Sequence, residues 1–165
     1  MNRRIYAKEY LMAAPILTLT DSTNTPLQVL NFGVVDAGNQ TGGVPIRIWN
    51  NFSVAQGIAD AQNPQITTKT YNGLDSGDSV QNGNEVVVNQ MIGAQCTSAG
   101  QTAYTQIGGP NTLGIADSPP PAGQSYTPVI SGSGGFAALL VRATVPASAT
   151  AGNISFLLRV LYQYS

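Results

Sequence analysis

No histidine occurs anywhere in the chain, which removes the commonest general base, the usual activator of a nucleophile and the most frequent transition-metal ligand. Histidine-dependent triads and zincin sites are thereby excluded. The one cysteine, Cys96, can form neither an internal disulfide nor a multi-cysteine zinc site, so stability has to come from packing and hydrogen bonds. Nothing basic or catalytic lies near it in sequence, and a small buried apolar role is expected. Charge is scarce as well. Seven Lys and Arg stand against eight Asp and Glu, 9% of the residues together, and the pI is near 5.0. With no basic run beyond Arg3, Arg4 and Lys8, the positive field that drives nucleic-acid binding by counterion release is missing, and no nucleic-acid partner is expected. No apolar run approaches the ~20 residues that cross a bilayer as a helix, so membrane insertion is not expected. Outside the first twenty residues no segment holds a 3.6-residue apolar period for three turns.

What remains is a neutral, polar chain with enough apolar residues, 42%, to fold. Disorder requires low hydrophobicity with high net charge, and the net charge is −1. A length of 165 residues suits one domain. A compact chain of about 150 residues buries roughly 68–70% of its unfolded surface, so a core forms without disulfide or metal.

Met1–Pro26 differs from the rest. It holds four of the fifteen charges in its first nine residues and ends in the polar cluster Thr18–Pro26. Arg3, Arg4 and Lys8 ahead of Leu11–Leu17 resemble the start of a targeting segment, but the apolar part is short, and Glu9 and Pro15 interrupt it. Residues 1–26 therefore read as an arm and connector, and 27–165 as the folded domain. Ile5, Tyr6, Tyr10, Leu11 and Met12 are the candidate interface residues of the arm, since an exposed tail keeps such groups only if they cover a surface. That surface is either the domain's own sheet, to which the segment adds a first strand or helix, or a neighbouring subunit.

From Leu27 the pattern is β. Leu27–Phe32 alternates, and Val44–Trp49 places Val44, Ile46 and Ile48 on one face as core candidates. Gln65–Tyr71 is Thr-rich and suits a strand with one solvated face. Asn72-Gly73 and Asn82-Gly83 bracket a turn-rich excursion; Asn-Gly is the strongest short hairpin signal because both residues tolerate the positive φ of a type I′ turn. Glu85–Cys96 reads as a strand through Val86, Val87 and Val88. Thr97–Gly135 is loop-like, divided by short strands near Tyr104–Ile107 and Tyr126–Ile130. Phe136–Val145 and Ile154–Tyr164 alternate most clearly and read as two long antiparallel strands. The half-apolar second face of the last one, Leu157, Arg159, Leu161 and Gln163, is expected to be partly covered. An all-β antiparallel sandwich with Greek-key-like connections follows.

Leu30–Gly38, the Trp49-Asn50 pair closing Val44–Asn50, and Val145–Gly152 resemble the corresponding stretches of immunoglobulin-like sandwiches. Ile46–Ser53, Ile107–Gly109 and Leu157–Tyr164 are similar to small structural proteins of bacteriophage tails and baseplates, and such sandwiches also decorate capsids. The resemblance spans roughly Leu27 to Ser165. It implies a multicopy virion building block assembled in the bacterial cytoplasm. Its partners would be copies of itself and other virion proteins, with no catalytic residue and no cofactor to carry over. Sheet edges in such assemblies pair with neighbours' arms through main-chain hydrogen bonds.

Other motifs have blander readings beside the functional one. Asp75-Ser76-Gly77-Asp78, with Asn72, Asn84 and Glu85, offers oxygen ligands but lacks the alternate-residue spacing of a calcium loop, and no metal is expected. The eight acids sit almost all beside turn residues, which argues against a glycosidase pair. Trp49, Tyr71, Tyr104 and Tyr126 are the candidates for an aromatic platform on host-surface glycans, the alternative to a structural role. The sequons at Asn39, Asn51 and Asn153 are expected by chance in an Asn/Ser/Thr-rich chain.

Overall fold

A computed structural model describes residues 12–165, Gln56 and Gln124 excepted. The fold is all-β, built from two antiparallel sheets. The larger has the order β1 (Leu17–Asp21), β2 (Val44–Asn50), β8 (Phe136–Ala143), β4 (Ile92–Cys96), β5 (Thr105–Ile107). The smaller is centred on β3 (Ala61–Thr70). The last strand, β9 (Phe156–Gln163), runs along one flank of β3, and the two-residue strands β6 (Leu113–Gly114) and β7 (Val129–Ile130) take the other. The chain crosses between sheets after β2, β3, β5, β7 and β8.

Alternation decides what is inside. On β2, Ile46 and Ile48 are buried; on β8, Ala137, Leu139, Val141 and Ala143 are buried while the residues between them are half-exposed. These face Ala61, Ile66, Leu113 and Ile130 of the smaller sheet across one core. Cys96 lies in that core, fully buried, as its isolation in sequence predicts.

Several sequence expectations are corrected. Leu27–Phe32 is not a strand. Leu27, Leu30, Phe32 and Val35 pack on the core at spacings of three, two and three, while Val29 and Val34 face solvent; that spacing suits neither a strand nor a helix. The turn at Gly33, whose amide bonds the Asn31 side chain at 2.8 Å, produces this irregular path. Glu85–Val88 is also not strand. Asn84–Val88 forms a single helical turn, α1, started by Gly83 at φ 82° and ended at Asn89, with Val86 and Val87 pressed into the core. β4 begins only at Ile92. Tertiary burial of two valines and the left-handed glycine outweigh the β preference of a Val-Val-Val run.

The Thr-rich strand β3 is not solvated on one face: Thr67, Thr68 and Thr70 are fully buried. Loop 108–111 covers it. Thr67 Oγ1 donates to the carbonyls of Gly109 and Asn111 at 2.9 Å, and Gly109 N–H donates to the Thr68 carbonyl. In both Asn-Gly pairs only the glycine takes positive φ, so these turns are not type I′, yet they do close the excursion: Tyr71 N–H donates to Asn82 O at 2.8 Å. The two long C-terminal strands do not pair with each other. β8 lies in the larger sheet and β9 in the smaller, with Val145–Gly152 in the connection between them.

Of the alternatives for the first segment, Leu17–Asp21 adds a strand to the domain's own sheet, antiparallel to β2 with Leu17 opposite Asn50. Ile5, Tyr6, Tyr10 and Leu11 lie outside the described residues. Met12 is half-exposed.

Candidate functional site

The feature that stands out is β9 and the seam beside it. Its sequence alternates Phe156, Leu158, Val160 and Tyr162 with Leu157, Arg159, Leu161 and Gln163, so one row turns toward the core and the other to solvent. The outward row was expected to be partly covered; instead Leu157 is 41% and Leu161 37% exposed, and Tyr162 and Tyr164 are also exposed. β3 satisfies one flank of β9 from Gln62 to Thr70. Along the other flank no backbone partner occurs among the described residues. β9 is thus a long edge strand without proline, carrying one charge, Arg159. Folded proteins usually blunt such edges with charge, proline or a covering segment.

Across the seam stands β1, the edge of the larger sheet. At its Asp21 end the outer flank is occupied by the turn that follows it: Asp21 and Thr25 are joined through the backbone, and Leu27 N–H donates to Leu19 O at 2.9 Å. The turn is held by the Asp21 carboxylate, which accepts from the Thr25 and Thr23 amides and the Thr23 hydroxyl. Those bonds, the Thr25 amide foremost, lower its pKa from the ordinary carboxylate range.

Between β1 and β9 opens a cleft of about 260 Å³ lined by Leu17, Thr18, Leu19, Ile48, Leu158 and Val160. It has no charged lining residue. Beyond it, at the Phe156 end of β9, Phe32 stacks on Phe156 with ring centroids 6.3 Å apart. Phe156, Leu158 and Val160 of the inward row are only half-buried, and among the described residues no strand stands between the two sheets at this seam. Such a site binds through unpaired backbone groups plus apolar pockets, the chemistry of strand addition.

Two adjacent asparagines fix the neighbouring end of the sandwich. Asn50, fully buried, donates to Ala59 O (2.9 Å) and Ile130 O (3.0 Å) and accepts from Ile16 N–H (3.1 Å). It joins β2 to β7 and to the chain entering β1. Asn51, in the left-handed region at φ 63°, donates to Ala55 O and Gly132 O and accepts from Ala55 N–H. Sequence reasoning noticed the Trp49-Asn50 pair and the Asn51 sequon but not these roles. The signal was two successive amides at the end of a core strand.

Other candidate residues are engaged elsewhere. Asp75 pairs with Lys69, Asp78 accepts from Asn72, Asn82 and the Ser79 amide, and Glu85 accepts from Thr150 N–H (2.9 Å) and Oγ1 (2.6 Å). The Asn82 side chain foremost lowers the pKa of Asp78, and the Thr150 hydroxyl foremost that of Glu85. Among the described residues no three His, Cys, Asp or Glu gather as a metal site. The four aromatics form no common platform. Trp49 packs on Phe136 at 4.4 Å and donates to Thr20 Oγ1; Tyr104 lies under Arg142; Tyr126 donates to Ser118 O; Tyr71 stands alone in solvent.

Comparisons of the chain with protein-family models, with curated proteins and with solved structures gave no match.

Proposed function

We propose that the protein is a non-catalytic structural subunit of a phage or phage-like particle, assembling through its open sheet edge with copies of itself. The observation that carries this reading is β9, an eight-residue strand whose second flank has no backbone partner among the described residues, with Leu157 and Leu161 in solvent and an apolar cleft beside it. An edge of this kind in a chain with so little charge is a liability unless a partner covers it. The virion setting rests on the resemblance of Ile46–Ser53 and Leu157–Tyr164 to phage structural proteins. Low charge supports assembly too, because few ionic groups have to be desolvated at an interface.

Glycan binding gains nothing from the aromatics, which are spread over separate elements and largely engaged. Light scattering across a concentration series tests the proposal. The expected result is a mass that climbs in multiples of the 17.2 kDa chain. A monomer at every concentration, together with saccharide binding lost in Tyr71→Ala, would replace assembly with adhesion.

A further inference from the structure

We propose that Asn72 is a site of self-modification: the peptide nitrogen that follows it attacks its side chain, ammonia leaves and a carboxylate results, while the same dipeptide at Asn82-Gly83 is held unreactive by the fold. The proposal is independent of the assembly reading. The chain has two Asn-Gly pairs, and in both the glycine, lacking a side chain, leaves the approach to the asparagine carboxamide open. In sequence the two pairs have equal standing. The structure separates them.

Ring closure brings the glycine nitrogen onto Cγ of the asparagine, so the peptide between the two residues has to be free to rotate. At Asn82-Gly83 it is locked. Asn82 N–H donates to Ser79 Oγ at 3.3 Å and its carbonyl accepts from Tyr71 N–H at 2.8 Å; Gly83 N–H donates to Val80 O at 2.9 Å and its carbonyl accepts from Val87 N–H at 3.0 Å. Gly83 is also buried, and a side chain there would run into the Ser155 carbonyl and Phe156. Asn72 and Gly73 are both exposed, and a side chain on Gly73 would meet nothing within 4 Å. Of the four main-chain groups of this pair only Gly73 N–H has a partner among the described residues, the Thr70 carbonyl at 2.8 Å.

The reaction needs water alone. The Gly73 nitrogen bonds to Asn72 Cγ and gives up its proton, the Cγ–Nδ2 bond breaks, and Nδ2 leaves as ammonia with that proton. Water then opens the five-membered imide at either carbonyl, returning an aspartate or an aspartate linked through its side chain. The product falls at a junction. Asn72 Nδ2 donates to Asp78 Oδ2 at 3.0 Å and Asn82 Nδ2 donates to Asp78 Oδ1 at 2.9 Å, so one carboxylate ties together the two ends of the excursion between β3 and α1. Conversion replaces the first of these donors with a second carboxylate, and two like charges at this separation repel. It adds a negative charge to a chain whose net charge is −1 and opens the clamp on Asp78.

The full-length protein is held at mildly alkaline pH and sampled over days, and tandem mass spectrometry with electron-transfer fragmentation locates each converted residue and its linkage. The same incubation in urea, where neither pair is folded, is the reference. In the folded protein Asn72 is expected to convert roughly tenfold faster than Asn82 or more, since closure at Asn82 first breaks three further hydrogen bonds. In urea the two rates should be alike. Asn72→Gln, which keeps a carboxamide but can close only a larger and slower ring, should leave the folded chain without a fast site. Equal rates in the folded protein, faster conversion at Asn82, or no conversion at Asn72 overturns the proposal. Asn72→Asp stands in for the product: the Tyr71 amide, bonded to Asn82 O, should exchange its hydrogen faster in this variant at neutral pH than in the native chain. Unchanged exchange would overturn the opening of the clamp.

Discussion

At the scale of single residues the sandwich depends on polar groups that hydropathy does not reveal. Asn50 satisfies two carbonyls and one amide that belong to three different segments. Asn50→Leu fills the same space and leaves the Ala59 and Ile130 carbonyls without this partner in the interior and the Ile16 amide without it nearer the surface; each buried orphaned group costs about 1–3 kcal/mol. Urea unfolding of that variant should show a loss of about 2 kcal/mol or more at unchanged m-value. Asn51 is held as firmly, and its burial makes its sequon inaccessible in the folded chain. Core apolar residues such as Ile46, Ile48, Leu139 and Val141 could be read directly, because a half-buried strand repeats every two residues and water enforces the repeat. Asparagines could not, since the same residue type serves a solvated turn at Asn72 and a buried knot at Asn50.

Among elements, legibility followed regularity. β2 and β8 were visible because each alternates over seven or eight residues. Leu27–Phe32 and Glu85–Val88 were misread because a few apolar residues met the core through a turn instead of a sheet, and local patterning cannot see that partner. α1 is a case in point: its Glu85 is anchored on the β8–β9 connection by Thr150. Because those bonds lower the Glu85 pKa, their stabilisation is present above the ordinary carboxylate pKa and is lost as the pH falls through the lowered one. Glu85→Gln should therefore lower the denaturation midpoint at neutral pH, and the difference from the native chain should vanish in acid. Scanning calorimetry at a series of pH values checks this. A second element-level test is Gly132. A side chain there would run into the carbonyl oxygen of Ile58, and its amide is already used by Asp60 at 2.8 Å. Gly132→Ala should destabilise the chain by about 1–3 kcal/mol in the same urea assay, since backbone and not a flexible side chain stands in the way.

For the whole molecule, alternation was the better guide, and it pointed to the two antiparallel sheets that the structure has. What could not be read was which edge lacks a partner among the described residues, because that depends on β9 pairing with β3 and not with β8, and on the turn after β1 folding back on Leu19 and Asp21. An interface made of backbone bonds and the side chains of Leu158, Val160, Leu17 and Leu19 is little screened by salt. If the protein assembles as proposed, its mass should accordingly be the same in low and high sodium chloride; dissociation by salt would indicate charge-driven contacts instead.

The most direct measurement is amide hydrogen exchange along β9 as a function of protein concentration. If the open edge is the assembly surface, the outward-facing amides of Phe156–Gln163 exchange quickly in dilute solution and slow as the mass rises, while β2 and β8 stay protected throughout. Exchange along β9 that stays fast while the protein associates would contradict the account, and place the contact elsewhere on the molecule.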